Sequence, residues 1–242
     1  MSRRRTQAHD GELQARQPDE QRSTCAAGHT APSGTPAAGT SSHTIRVVRA
    51  DAADLGALSQ VIADAFHELP PSRWLVPDPA TRREIFPPYF RLFVEHALAC
   101  GIVHTTPDCT AAALWQPIGN QPATQPAGYN EQLRAATSPW TSRFLAFDAA
   151  LDQHHPAGIA HHHLAMIAVR PDRQGQGTGT ALLYAHHASL DSAGLPAYLE
   201  AADLRTRGVY LRRGYADYGG PIRLPDGTRM YPMMREPGAG AE

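Results

Sequence analysis

The chain has 242 residues, which allows one large domain or two small ones. Its 22 basic residues, all arginine, nearly balance 23 acidic ones, so its charge gives no reason to expect a nucleic acid as a partner. No apolar run approaches the length of a membrane span, and we expect no membrane association. Three cysteines without a C-x-x-C pair and the lack of a secretory pattern predict a cytoplasmic protein.

The N-terminal segment differs in composition from the rest of the chain. Residues 1–43 are rich in Gly, Pro, Ser, Thr, Ala and Gln and have almost no large apolar side chains. Such a segment cannot bury enough surface to offset the entropy lost on ordering. We therefore predict a disordered extension over residues 1–43, one folded domain over 44–237 and a flexible tail over 238–242.

The first half of this domain begins with a predicted strand at residues 45–48. Asp51 then has the position of an N-cap, and apolar residues at helical spacing predict a helix over 52–67. Pro70 and Pro71 are expected to end that helix and to leave residues 69–78 irregular.

The following elements are predicted from apolar periodicity and from breaker residues. We expect a helix interrupted at Pro87 and Pro88, strands at 101–105 and 110–115, a loop over 117–138 with a short helix at 130–135, and a helix over 140–151. A mixed sheet with helices on both sides accommodates this order.

A glycine-rich segment follows the apolar run that ends at Val169. Gly175, Gly177 and Gly179 alternate with polar residues directly before a helical pattern. Glycines allow the backbone to approach a ligand closely, and the first N–H groups of a helix lack intrahelical acceptors. This arrangement predicts a binding site for phosphate oxygens.

Other interpretations of this segment fit less well. A Walker loop requires a lysine after the glycines, and the chain contains no lysine. A dinucleotide fingerprint would place the third glycine one residue later and directly at the strand end. Glu200 stands about where a ribose-binding acid is expected, but too few residues follow it to complete such a fold. A glycine turn that binds nothing remains an alternative.

The segment V-x-P-x-x-Q-G-x-G-x-G-x-x-L-L resembles the acyl-CoA-binding motif of the GCN5-related N-acetyltransferase (GNAT) superfamily. Gln174, Gly177 and Gly179 meet its Q/R-x-x-G-x-G/A core. Residues 197–201 are similar to the next strand of that family, and residues 209–215 to its Y-x-x-x-G-F segment. Within the superfamily the chain most resembles the bacterial branch that includes puromycin N-acetyltransferase.

The resemblance implies an α/β (α+β) fold. Its sheet is mixed and mostly antiparallel, helices flank it, and a splayed strand pair holds the acyl-CoA. The implied reaction moves an acetyl group from acetyl-CoA to a primary amine of a small molecule by direct attack, in a monomer or homodimer. A catalytically idle acyl-CoA-binding sensor or regulatory module is the alternative.

The resemblance also implies the site residues. Tyr210 is the expected general acid for the CoA sulfur. Glu200 is our candidate for the general base, although it could instead cap a helix or pair with Arg205 or Arg207. The expected contacts with acetyl-CoA are Ile167, Ala168, Val169, Gln174, Gly175, Gln176, Gly177, Thr178, Gly179, Thr180 and Thr206, the last standing where the family commonly has an asparagine.

Histidines cluster near the same region, at residues 154–155, 161–163 and 186–187. If a strand begins there, His161 and His163 share a face. No H-E-x-x-H or Cys/His ligand spacing is present, so we predict a solvated cluster and no metal. His163 is a second candidate for proton transfer.

Overall fold

The computed structural model describes residues 44–119 and 125–239. The predicted extension over residues 1–43 and most of the predicted tail lie outside the described residues. The helices are α1 (Leu55–Phe66), α2 (Pro70–Leu75), α3 (Pro79–Cys100), α4 (Tyr129–Thr137), α5 (Thr141–Asp152), α6 (Thr178–Ala193) and α7 (Leu204–Leu211). The strands are β1 (Val48–Arg49), β2 (Ile102–Thr105), β3 (Ala111–Ile118), β4 (His161–Val169), β5 (Ala197–Ala201), β6 (Ala216–Asp217), β7 (Ile222–Arg223) and β8 (Arg229–Arg235).

The strands form one mixed sheet in the order β1-β2-β3-β4-β5-β8-β6, and β7 pairs with β8. The pair β4–β5 is parallel, and the other pairs are antiparallel. The predicted fold class is therefore confirmed. In the described part of the chain, no helix is both long enough and apolar enough to cross a membrane.

Hydrophobic cores cover both faces of the sheet. On one face α1 and α3 bury large side chains such as Leu58, Ile62 and Phe86. On the other face, Leu182 and Leu183 of α6 pack against side chains of β3, β4 and β5. The sheet is thus a buried middle layer, and the backbone of β4 lies between two helical layers.

The entry into α1 confirms the predicted N-cap. The Asp51 carboxylate accepts a hydrogen bond of 2.8 Å from the Ala53 N–H, and the Asp54 carboxylate accepts one of 3.0 Å from the Asp51 N–H. These bonds satisfy N–H groups that have no acceptor within the helix.

The predicted irregular segment at 69–78 is wrong, because α2 occupies most of it. Pro70 and Pro71 stand at the first positions of α2, where the missing proline N–H would have no intrahelical acceptor. The predicted interruption of the next helix is also wrong, since α3 continues through Pro87 and Pro88. Buried aromatic side chains on either side of these prolines, including Phe86, hold α3 in the core.

Candidate active site

A gap opens between β4 and β5. Their parallel register, within the described residues, consists of the pairs His162 with Ala197 and His163 with Tyr198. Beyond these pairs the two strands diverge, so the C-terminal part of β4 has an edge without a neighbouring strand. This is the splayed pair that the resemblance implied.

The backbone N–H groups of Ile167 and Val169 point into this gap. The Arg170 N–H donates to the Thr110 carbonyl on the β3 side, at 2.8 Å. N–H directions alternate along a strand, so those of Val169 and Ile167 face the opposite edge. The β3–β4 register shifts at a bulge at Ala165. This bulge determines which N–H groups in the C-terminal part of β4 face the gap.

The glycine turn, which we define as residues 174–177, is exposed beside the gap. Gly175 and Gly177 have φ values of 78° and 86°, in the left-handed region that favours glycine. Gly177 is the N-cap of α6, and the first intrahelical bond runs from the Ala181 N–H to the Gly177 carbonyl. The N–H groups of residues 178–180 precede that bond and face outward for an anion.

Side chains fix this turn to its surroundings. The Gln174 amide donates a hydrogen bond of 3.0 Å to the Val169 carbonyl, which ties the turn to the end of β4. The Arg213 guanidinium donates to the Thr180 hydroxyl and, at 2.7 Å, to the Val209 carbonyl. Arg213 therefore joins the start of α6 to the end of α7 and adds a positive charge near the turn.

A carboxylate and two imidazoles meet where the strands begin to separate. The Glu200 Oε2 lies 2.9 Å from the His163 Nε2, and the Glu200 Oε1 lies 4.0 Å from the His155 Nδ1. The Glu200 side chain is only 6% exposed. We name these three residues, His155, His163 and Glu200, the carboxylate–histidine cluster.

The environment keeps the Glu200 carboxylate charged. Burial raises its pKa, but His163, the Tyr198 hydroxyl and His155 oppose this, and the net pKa is below the usual range. Burial, reinforced by His163, lowers the pKa of His155 to about 4. Glu200 is consequently an ionised proton acceptor at neutral pH, next to a neutral His155 imidazole.

Tyr210 lies on α7 and is partly buried against the core on the α6 side of the sheet. Its ring meets that of Tyr215 edge to face, with centroids 5.6 Å apart. Burial raises the pKa of Tyr210, so its phenol is fully protonated at neutral pH.

The two candidate catalytic groups lie on opposite faces of the sheet. Ala197, Leu199 and Ala201 point into the core beneath α6, so Glu200 between them points to the other face. Tyr210 belongs to the α6 side. A thioester in the gap would thus meet a proton acceptor on one face and a proton donor on the other.

The structure corrects several expectations about side-chain partners. Glu200 contacts His163 rather than Arg205 or Arg207, and Arg207 pairs with Asp217 instead. The histidines are not a solvated cluster, because His161 is buried and His155 and His163 are mostly covered. His161 and His163 do share one face, where both rings contact Tyr198.

Thr206 is engaged within its own helix. Its hydroxyl accepts from the Asp203 N–H at 3.1 Å, and its N–H donates to the Asp203 carboxylate at 2.7 Å. This capping box fixes the start of α7, so the hydroxyl already has partners before any ligand binds. A cofactor contact of Thr206 stays a prediction.

Sequence reasoning missed two residues at this site. His155 lies in the loop after α5 and reaches Glu200 only through the fold, and Arg213 reaches Thr180 from the end of α7. No spacing rule connects these partners. The doubled histidine at 154–155 was the one available signal for the first of them.

A surface cavity of about 380 Å³ lies beyond the C-terminal end of β5. It is bordered by the start of α2, the start of α7 and the β7–β8 hairpin, and its lining includes Pro70, Leu204, Arg205, Arg229 and Tyr231. The segment at 69–78 and the final hairpin both contribute residues to this cavity.

Residues 130–237 match the family model for the acetyltransferase (GNAT) domain. Among solved structures, the chain is similar to a histone acetyltransferase HPA2 and related acetyltransferase from Corynebacterium glutamicum, with 24% identity and a TM-score of 0.61 over 80% of this chain and 97% of that one. It is also similar to arylalkylamine N-acetyltransferase 2 from Aedes aegypti, with 12% identity and a TM-score of 0.53 over 80% and 99% of the two chains.

The solved structures share the fold of this chain, and the family match covers the gap, the glycine turn, α6 and α7. Residues 130–237 are therefore similar to a GNAT acetyltransferase domain, and the described chain has the fold of these solved structures.

Proposed function

We propose that this protein transfers the acetyl group of acetyl-CoA to a primary amine of a small molecule. The observation that carries the proposal is the exposed glycine turn at the start of α6, directly beside the gap between β4 and β5. The turn offers N–H donors and the positive helix end to a pyrophosphate, while the gap offers backbone donors to a thioester.

The pyrophosphate is expected to lie on residues 174–180. Left-handed Gly175 and Gly177 expose the backbone, and Thr178 and Thr180 begin α6. Arg213, which already bonds Thr180, adds a fixed cation to this site. A phosphate oxygen near the Thr180 hydroxyl would come within reach of that guanidinium.

The amine must lose a proton before or during its attack. An alkyl ammonium with a pKa of about 10.4 is neutral in roughly one molecule in a few thousand at pH 7. Glu200 is ionised and lies at the mouth of the gap, so it accepts this proton directly, through a water, or through His163. The hydrogen bond from His163 holds the Glu200 carboxylate in position and stabilises its negative charge.

The remaining groups act on the thioester. The amine nitrogen attacks the carbonyl carbon, and the N–H groups of Ile167 and Val169 stabilise the negative oxygen. The C–S bond then breaks, and Tyr210 protonates the leaving thiolate. For an ordinary phenol and thiol this transfer is uphill by about 2 kcal/mol, and the burial of Tyr210 increases the difference. Water then carries the amine's proton from Glu200 to the Tyr210 phenolate, a downhill transfer that restores both groups.

The cavity next to Tyr231 is the proposed acceptor site. The cavity has room for an acceptor of moderate size, and the Tyr231 ring offers an apolar contact, in keeping with the resemblance to the branch of puromycin N-acetyltransferase. One structural neighbour is an arylalkylamine N-acetyltransferase, but identity at this level concerns the fold, and function depends on the site. We place the activity in the cytoplasm, where acetyl-CoA is available and free thiols persist.

The test is CoA release from acetyl-CoA, followed with a thiol reagent while a panel of primary amines is added. Amine-dependent release that matches the appearance of the acetylated amine supports the proposal. Binding of acetyl-CoA without release for any amine would favour the idle sensor. Tyr210→Phe protein serves as the control for chemistry, because it should retain acetyl-CoA binding.

A further inference from the structure

The carboxylate–histidine cluster gathers three donor atoms from separate parts of the chain. His155 comes from the loop after α5, His163 from β4 and Glu200 from β5. Their nearest nitrogen and oxygen atoms all lie within 4.8 Å of one another. Four-coordinate zinc with ligand distances of about 2.0–2.1 Å requires ligand-to-ligand separations of about 3.4 Å. The observed separations of 2.9 and 4.0 Å bracket this value.

The hydrogen bonds around His155 determine which of its nitrogens carries the proton. The His161 Nδ1 lies 2.7 Å from the Ile159 carbonyl, so it must donate. In a neutral His161 ring, the Nε2 is then an acceptor, and it lies 3.2 Å from the His155 Nε2. The His155 Nε2 therefore carries the proton, and the His155 Nδ1 presents a lone pair.

That lone pair faces an unpartnered oxygen. The Glu200 Oε1, 4.0 Å from the His155 Nδ1, is buried and makes no hydrogen bond of normal geometry among the described residues, although the Tyr198 hydroxyl is near enough to the carboxylate to lower its pKa. Two electron-rich atoms that face each other without a proton between them are unfavourable unless a cation joins them. The chain Ile159–His161–His155 also resembles the outer hydrogen bonds that orient metal-binding imidazoles.

We propose that His155, His163 and Glu200 bind a divalent transition-metal ion of the Zn²⁺ type. Two imidazoles and one carboxylate are ligands that zinc accepts, with a water as the fourth. On binding, His163 supplies its Nε2 lone pair, and the proton that this nitrogen shares with Glu200 moves to the other ring nitrogen or leaves. The sequence predicted no metal, because the ligands lie on three elements with no motif spacing.

The ion would occupy the same carboxylate that we propose as general base, so it would act as an inhibitor of acyl transfer. The metal site itself does not depend on that activity, because it rests on the geometry of the ligands. Loss of one proposal therefore leaves the other intact.

The test is a zinc titration of the full chain after treatment with a chelator, with a fluorescent zinc indicator as competitor. We compare the wild type with His155→Gln, and with His162→Gln as a matched control. His162 lies on the same strand, but it points to the opposite face and bonds His186. Circular dichroism melts verify that both variants fold.

We expect one tightly bound Zn²⁺ that the His155→Gln change weakens by at least about tenfold, while His162→Gln has no effect. A Co²⁺ titration should give visible absorption bands in the wild type that His155→Gln abolishes. Equal zinc affinity in the wild type and in His155→Gln, or no zinc bound at micromolar concentration, would overturn the proposal.

Discussion

The two ends of β4 present functional groups in different ways. Its C-terminal end leads into an exposed glycine turn, in which the backbone supplies the donors and all the residues are contiguous. Its N-terminal end carries His161 and His163, whose partners His155 and Glu200 come from other elements. The first kind of site is visible in a sequence because it is local, whereas the second exists only after folding.

The largest effect on activity is expected from a substitution in the site at the N-terminal end of β4. Glu200→Gln keeps the shape of the side chain but removes the charged proton acceptor. We expect kcat to fall by about 100-fold or more, because a positioned base contributes at least this much, with acetyl-CoA affinity near the wild-type value. Initial rates of CoA release and calorimetric binding of acetyl-CoA measure the two effects separately. A wild-type kcat would remove Glu200 from the mechanism.

The next effect tests the C-terminal end. In Gly177→Val, a β-branched side chain must adopt a strained φ of 86°, and its Cβ would lie 3.7 Å from the Ile45 side chain, so the turn has to change its backbone conformation. We expect acetyl-CoA affinity to fall by at least about tenfold, measured by calorimetry, because several N–H donors are displaced.

A matched control exists on the same helix. Gly194 also has a left-handed φ, of 64°, but it caps the opposite end of α6. Gly194→Val should reduce thermal stability while acetyl-CoA affinity stays unchanged. An equal loss of affinity in both variants would mean that α6 has been perturbed as a whole and that the turn has no special role.

Substitution of Tyr210, the proposed proton donor on the α6 side, should have a smaller effect. Tyr210→Phe removes the phenol but retains the ring that packs against Tyr215. We expect kcat to fall about tenfold, with little change in acetyl-CoA binding, because a general acid acts on the leaving group in the transition state. Pre-steady-state acetyl transfer measures this step, and an unchanged rate would exclude the acid role.

A modest effect on stability is expected from substitution of His186, which bonds two other histidines on the α6 side of the sheet. The His186 ring stacks on Trp115 and bonds His104 at 3.3 Å and His162 at 2.9 Å. Burial, reinforced by His162, His104, His187 and Arg49, lowers the pKa of His186 to about 3. The unfolded chain therefore binds more protons than the folded one below about pH 6.5, and the free energy of unfolding falls as the pH falls.

In His186→Gln this titration is removed. The variant should be less stable than the wild type at pH 7.5, because the stacked ring is lost, but its melting temperature should decline less between pH 7.5 and 5. Thermal melts across this range measure the difference. The same decline in both proteins would show that His186 does not contribute to acid sensitivity.

The sequence predicted the parts of the fold that depend on local signals. The Asp51 cap, the strands on either side of residues 106–110 and the glycine turn follow from residue types at fixed spacing. The prolines led to wrong predictions at α2 and α3. Pro70 begins a helix because it stands in the first turn, and α3 continues through Pro87 because tertiary packing holds it in the core.

At the site, the sequence named Glu200 and His163 as separate candidates for proton transfer, but it predicted neither their contact nor the approach of His155. His155 and His163 reach this carboxylate because β4, β5 and the loop after α5 converge. Because these elements converge, the histidines that were predicted to be solvated are mostly buried. Distances between residues that are far apart in sequence are set by the complete fold, and no local pattern encodes them.

The most direct test of the central claim is a calorimetric titration of the protein with acetyl-CoA, with NADH as the comparison ligand. The glycine turn beside the strand gap predicts micromolar binding of acetyl-CoA and no binding of NADH. Absence of acetyl-CoA binding, or a preference for NADH, would contradict the acyl-CoA site and the catalytic roles that depend on it.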